Sequence, residues 1–201
     1  RMARLRRELE QVSRTRGLHR ERRQRAPWPV IALVGYTNAG KSTLFNRLTG
    51  AGVLAQDMLF ATLDPTVRRA ETADRRAYTL ADTVGFVRDL PHQLVEAFRS
   101  TLEEVADADL LLHVVDGSHP DPESQISAVR EVLAEVMDEH GAESVNEVIV
   151  VNKADGEHAI EAKAAARELT GAIRLIYPRD TLWRPPVLTM SALTGDGLAE
   201  M

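Results

Sequence analysis

The chain has 201 residues, of which 44% are hydrophobic and 27% are charged, with a formal net charge of −5. This length and composition predict one ordinary globular domain and argue against a second full domain. No apolar run approaches the ~18 residues that cross a bilayer, which argues against an integral membrane protein. The chain has no cysteine, so disulfide scaffolds, thiolate metal sites and thiol catalysis are excluded, and the reducing cytoplasm is weakly favoured.

Charge is distributed unevenly along the chain. Residues 1–25 contain ten arginines against three glutamates, a local charge of +7 that leaves −12 on residues 26–201. Apolar residues at helical spacing, Leu5, Leu9 and Val12, predict a basic helical arm over residues 1–26, followed by one domain over 27–201. Because the chain opens at Arg1 without a leader-like segment, it reads as a fragment of a longer protein.

Lysine is rare in this sequence. Of the 25 basic residues, only Lys41, Lys153 and Lys163 are lysines, and the other 22 are arginines. Each lysine is therefore a candidate for a specific role.

Short apolar runs bounded by turn residues alternate with helical patterns after residue 29. The runs predict buried strands, and the segments between them carry apolar residues at helical spacing. This alternation predicts the α/β class. The predicted strands are 30–34, 78–81, 110–115, 148–151 and 187–190, and the predicted helices are 42–48, 93–105, 123–138 and 159–169.

The first motif, at residues 35–42, fits G-x-x-x-x-G-K-[ST] directly after a predicted strand and at the start of a helix. Its glycines allow backbone N–H groups and the helix N-terminus to face a phosphate. The Lys41 ammonium can reach the β- and γ-phosphate oxygens, and the Ser42 hydroxyl can bind Mg²⁺. A glycine-rich turn that binds nothing is the alternative. The candidate residues are Gly35, Tyr36, Thr37, Asn38, Ala39, Gly40, Lys41, Ser42 and Thr43.

A second phosphate motif, D-x-x-G, follows the predicted strand 78–81. In it the aspartate holds Mg²⁺ through water and the glycine N–H senses the γ-phosphate. Residues 60–66 predict a switch loop whose threonine closes on Mg²⁺. Thr62 and Thr66 both qualify on spacing, and a capped turn at Asp64 is the alternative for either. The candidate residues are Phe60, Ala61, Thr62, Leu63 and Asp64 in the loop, and Asp82, Thr83, Val84 and Gly85 in the motif.

Two further segments predict a guanine site. The first, N-K-x-D, places a carboxylate that accepts from guanine N1–H and the 2-amino group, and adenine offers no such donor pair, so an unpaired buried carboxylate should reject ATP. The second fits a loop whose backbone N–H meets guanine O6. All four motifs follow predicted strands, where α/β sheets bind ligands. The candidate base residues are Asn152, Lys153, Ala154, Asp155, Ser191, Ala192 and Leu193.

These segments resemble the HflX family of ribosome-associated P-loop GTPases. The similarity covers most of residues 30–118, through GYTNAGKSTLFNRLTGAGV, DMLFATLDPTVRR, DTVGFVRDLPHQLVEAFRSTLEEV and DADLLLHVVDGS. It implies a G domain with a mostly parallel six-stranded sheet and helices on both faces, lacking its closing helix here. It also implies Thr62 as the switch threonine, hence Mg²⁺ on Ser42, Thr62 and Asp82, and catalytic roles for Lys41, Thr62 and Gly85.

The resemblance further implies a partner and a task. HflX-type proteins associate with the large ribosomal subunit and its RNA, and split or rescue stalled ribosomes under stress. A monomeric, cytoplasmic GTPase is therefore expected, with GTP and GDP as ligands. The arginine-rich arm is then either a solvated helix face or a contact for ribosomal RNA phosphates.

From about Val150 onward the sequence is more similar to the MeaB/ArgK family, G proteins that chaperone cobalamin-dependent mutases. This resemblance implies a chimeric or engineered chain. It also implies an alternative function, a GTP-dependent adaptor for a mutase. A chain that binds nucleotide without turnover, because its closing helix is missing, is the third hypothesis.

Residues around the motifs predict slow hydrolysis. Phe86 follows Gly85, where Ras-like proteins place the glutamine that orients water, so intrinsic turnover of the order of 10⁻⁴ s⁻¹ is expected until a partner orders the switches. Asn38 either binds a potassium ion that replaces an arginine finger, as in similar GTPases, or braces the loop through its amide. His113 is expected to be a satisfied core histidine, and Asp116 to cap the turn after its strand.

Overall fold

The structure of the protein is a computed structural model. It describes residues 28–52, 66–87, 105–140, 145–178 and 180–200. The predicted arm, the switch-loop residues 60–64 and all but the last residue of the predicted helix 93–105 lie outside these ranges. No described helix is both long and apolar enough to span a bilayer.

A single sheet of six strands, in the order β2-β3-β1-β4-β5-β6, forms the centre of the domain. β2 is antiparallel to β3, and the other neighbouring pairs are parallel. This confirms the predicted α/β fold with a mostly parallel sheet. The strands are β1 (Val30–Val34), β2 (Thr66–Glu71), β3 (Ala77–Asp82), β4 (Leu110–Asp116), β5 (Asn146–Asn152) and β6 (Val187–Thr189), and the described α-helices are α1 (Lys41–Thr49), α2 (Pro122–His140) and α3 (Ala159–Ile176).

Helices cover both faces of the sheet. On one face Leu44 and Phe45 of α1 pack in a buried cluster with Leu33 and Val114. On the other face α2 and α3 bury apolar side chains against β4 and β5. Strands buried on both faces have near-continuous apolar sequences, which is why the four central strands could be located from the sequence. β6 was located from its short apolar run, although it is a partly buried edge strand.

One strand was missed, and one helix extends more than two residues past its predicted end. β2 was not among the five strands placed by residue number, because TVRRAE forms an edge strand with exposed arginines and has no apolar run. α3 continues past residue 169 to Ile176, since Ile173 extends its buried stripe.

A buried ionic network links β4, β5 and α2. His113 Nδ1 lies 2.6 Å from Glu147 Oε1, and the Arg130 guanidinium donates to Glu147 Oε2 at 2.6 Å. His113 is 1% exposed, so the expectation of a satisfied core histidine is confirmed. Burial alone would raise the pKa of Glu147, but the hydrogen bonds and charges of His113 and Arg130 outweigh it and lower that pKa to about 2.

Replacing Glu147 by Gln should lower the free energy of unfolding at pH 7 by about 2–3 kcal/mol, because the carboxylate is stabilised by folding. A carboxylate with a depressed pKa contributes fully above its ordinary value of 4.5, and its contribution is lost as the pH falls towards 2. Urea unfolding of both proteins should therefore give curves that converge at low pH. Glu71→Gln removes an exposed partner of Arg69 and serves as the control, with an expected change below about 0.5 kcal/mol.

Candidate functional site

The four predicted motifs begin at or just beyond the carboxyl ends of β1, β3, β5 and β6. Parallel strands bring these ends to the same edge of the sheet, and contacts link the loops that follow them. The motif residues are brought together as the sequence predicts, except for the switch-loop residues 60–64, which lie outside the described part of the chain.

Glycine is required where the first loop passes close to the sheet. Gly35 has φ 148°, and a Cβ there would lie 2.2 Å from the Val114 carbonyl oxygen. Gly40 has φ 94° and caps α1, and its Cβ would lie 2.2 Å from the Asn152 amide nitrogen. These close approaches hold the loop against β4 and against Asn152. The backbone N–H groups of the loop lie at the start of α1, a position that favours anion binding.

The two polar side chains at the start of α1 have defined partners. The buried Lys41 ammonium donates to the carbonyls of Gly35 and Tyr36 at 3.0 and 2.9 Å. Burial lowers the pKa of Lys41 to about 8, against the charge of Asp82, which raises it. The Ser42 hydroxyl donates to Asp82 Oδ2 at 2.7 Å. Hydroxyl and carboxylate oxygens are ligands that Mg²⁺ prefers, so this pair fits the predicted metal.

The D-x-x-G segment is attached directly to the first loop. Thr37 N–H donates to the Phe86 carbonyl at 2.7 Å, and Phe86 N–H donates to the Gly35 carbonyl at 3.1 Å. A Cβ on Gly85 would lie 2.8 Å from Thr37 Cα, so the segment can approach this closely only with glycine. The Phe86 side chain is fully buried among Val84 and other core residues, and it offers no polar group to a water.

Asn152 connects the phosphate and base ends. Its side-chain NH₂ donates to the Ala39 carbonyl at 2.9 Å, and its Oδ1 accepts from Ala192 N–H at 2.8 Å. Asp155 accepts a hydrogen bond from the Ser191 hydroxyl. One buried amide therefore holds the first loop and the last loop together, and the Asp155 carboxylate is bonded to the last loop through Ser191. Leu193 of the last loop is exposed.

Asp116 is a residue of this site that was predicted only as a turn cap. The cap is confirmed, because Asp116 Oδ1 accepts from the Ser118 N–H and hydroxyl at 3.0 and 2.6 Å. In addition, the Lys153 ammonium donates to Asp116 Oδ2 at 2.7 Å. Burial raises the pKa of Asp116, but hydrogen bonds from Lys153 and Ser118 outweigh it and lower that pKa. Lys153 itself has φ 62°, a strained backbone conformation for a residue other than glycine.

The fold and this loop cluster define a P-loop nucleotide-binding domain of the GTPase class. The family described as 50S ribosome-binding GTPase matches residues 30–153, and the chain belongs to that family. The family described as methylmalonyl Co-A mutase-associated GTPase MeaB matches residues 127–201, so the predicted MeaB similarity of the tail is also confirmed.

Curated relatives confirm the resemblance to HflX. The chain is 56% identical over 198 residues to GTPase HflX of Magnetococcus marinus, covering 98% of this chain and 41% of that protein. It is 44% identical over 193 residues to GTPase HflX of Escherichia coli, covering 96% and 41%. Both alignments continue through the tail. The chain spans about two fifths of the length of these relatives.

A solved structure confirms the fold. The chain is similar to Era in a complex with MgGDPNP and nucleotides of 16S ribosomal RNA, with a TM-score of 0.64. The two sequences are 24% identical, and the match covers 86% of this chain and 53% of that one.

Replacing Asp116 by Asn should weaken GDP binding about tenfold or more, because Lys153 loses a charge-assisted hydrogen bond that orients it. Titration with a fluorescent GDP analogue measures this. Ser118→Ala is the control, since it removes one bond of the turn cap and leaves the ion pair, and it should change the Kd less than threefold. Equal effects of the two variants would mean that Asp116 acts only as a cap.

Proposed function

We propose that this chain is the GTP-binding and GTP-hydrolysing domain of a protein that associates with the large ribosomal subunit. The observation that carries the proposal is the Asn152 amide, which holds the phosphate loop and the base loop together beside Asp155. Membership of a family described as 50S ribosome-binding supports the choice of partner. The proposed partner is the ribosome with its RNA, so the proposed location is the cytoplasm. We propose a monomer as the functional unit.

The residue roles in this proposal follow the four motifs. Backbone N–H groups of residues 35–43 and the Lys41 ammonium bind the phosphates, and Gly85 N–H senses the γ-phosphate. Ser42, Thr62 and Asp82 hold Mg²⁺, which neutralises charge that develops on the phosphates. Asp155 selects guanine, Lys153 lies along its ring, and residues 191–193 meet its O6.

The proposal assigns slow turnover to the isolated chain. Phe86 is fully buried where a water-orienting glutamine would stand, so this position supplies no group to the attacking water. A ribosomal partner that orders the switch segments must therefore complete the site. Stress-linked splitting or rescue of ribosomes is the task that fits such partner-dependent turnover.

Potassium at Asn38 is the second part of the proposal. Asn38 is exposed with φ 59°, and its amide makes no hydrogen bond to any residue in the described part of the chain. An amide that braced the loop would be hydrogen-bonded, so the side-chain oxygen is available to a cation beside the phosphates.

A MeaB-like role is the second candidate function. The match to the mutase-associated family over residues 127–201 favours it. In that case nucleotide state would control docking to a mutase, and ribosomes would not be bound.

The test is GTP turnover at low salt in potassium and in sodium, with and without purified large ribosomal subunits, and with Lys41→Ala as the blank. Stimulation of tenfold or more by the subunits is expected, and faster turnover in potassium than in sodium that is lost in Asn38→Ala is expected for the cation.

Fast turnover without subunits would contradict the proposed dependence on a partner. Capture of a mutase but not of ribosomes in a pull-down would favour the adaptor. Tight GDP binding with no turnover under any condition would favour a chain that only binds nucleotide.

A further inference from the structure

A basic groove runs between α3 and the edge strand β6, the helix that follows Asp155 and the strand that precedes Ser191. It is a shallow groove of about 470 Å³ that is open to solvent, and Lys163, Arg167 and Arg174 of α3 line it together with Val187 and Thr189 of β6. The three cations are spaced at i, i+4 and i+11, so they form one stripe about 16 Å long on the helix. Lys163 is also the one lysine that the nucleotide motifs do not use.

The cations of this groove have no partner within the described residues. Most described lysine and arginine side chains bind a carboxylate, a carbonyl or an aromatic ring, as Arg130 binds Glu147 and Arg47 binds the Ala192 carbonyl. The exceptions in the described part of the chain are Arg75 and these three side chains. Three cations on one stripe that pair with no described residue, in a domain with a net negative charge, favour an anionic ligand.

Gly171 is an exposed residue in the lining of the same groove. It lies inside α3, where glycine costs about 0.5–1 kcal/mol relative to alanine. A Cβ at this position would meet no atom within 4 Å, so neither packing nor a turn requires glycine here. A glycine in open space on a binding stripe lets a ligand approach the helix backbone closely.

We propose that this groove binds the phosphate backbone of RNA. This inference rests on the proposed ribosomal function and adds a second contact surface to it. The lining of the groove has cations and no aromatic side chain, which suits phosphates and not stacked bases. An acidic peptide added to the sheet edge is less favoured, because β6 has only three residues with which to register it.

The test compares the wild-type chain with the triple variant Lys163→Gln/Arg167→Gln/Arg174→Gln. The binding constant of each protein is measured for purified large ribosomal subunits and for a uridine dodecamer across a KCl series. Each phosphate contact contributes a slope of about 0.7–0.9 to the plot of log K against log salt. The slope should therefore fall by about 2, and affinity at 0.1 M KCl about tenfold or more, with GDP binding unchanged. Arg68→Gln/Arg75→Gln/Arg76→Gln removes the same charge at the opposite sheet edge and should leave the slope nearly unchanged.

A second pair of variants keeps the three cations. Gly171→Asp places a carboxylate beside the cations and should weaken RNA binding at least threefold. Gly171→Ala adds only a Cβ, so it should weaken binding less than Gly171→Asp does. Equal affinities of the wild-type chain and both variants would contradict the role given to Gly171. Gly171→Ala should stabilise the fold, because alanine restricts the unfolded chain.

An unchanged slope in the triple variant, or equal losses in both triple variants, would overturn the inference. A poly-glutamate peptide is titrated in the same way. If the triple variant of the groove lost affinity for this peptide only, the groove would bind an acidic peptide and the inference would be overturned. If the wild-type chain bound the dodecamer through the groove but did not bind subunits, the ribosomal function would fail and the groove would stand.

Discussion

The Asn152 side chain is the contact on which the nucleotide end of this domain depends. It is 2% exposed, and its amide donates to the phosphate loop and accepts from the base loop. A buried amide that lost either partner would leave an unsatisfied polar group at a cost of about 1–3 kcal/mol. The two loops therefore keep a fixed separation, which a guanine nucleotide must span from its phosphates to its base. Gly40 is glycine because this amide occupies the space of its Cβ.

The parallel sheet makes that contact possible. β1, β4 and β5 are paired so that Val34, His113 and Ile149 lie in register. β1 ends at this level, whereas β4 and β5 both continue for three residues and end side by side at Asp116 and Asn152. The same register sets Asp116 beside Asn152, so the residue after Asn152 can pair with Asp116. The loops predicted to bind guanine and phosphate thus share one support.

Most of the fold could be predicted because its central strands are buried on both faces and its motifs follow them directly. β2 could not, since Thr66–Glu71 lies at an edge and has no apolar run. The Asp116–Lys153 pair joins residues 37 positions apart, and only the strand register brings them together. The groove beside β6 was also missed, because three of its lining residues lie on α3 at or after residue 170. Gly171 predicts the end of a helix, whereas α3 continues through it to Ile176.

The most direct test of this account is the Kd for GDP of Asn152→Asp, with Asn146→Asp at the exposed start of the same strand as the control. The aspartate keeps the shape of the side chain but cannot donate to the Ala39 carbonyl when ionised. The account predicts a loss of affinity of at least about tenfold, because one hydrogen bond is removed and a buried charge faces a carbonyl. A Kd within twofold of the wild-type value, in a variant as stable as the control, would contradict the central role of Asn152.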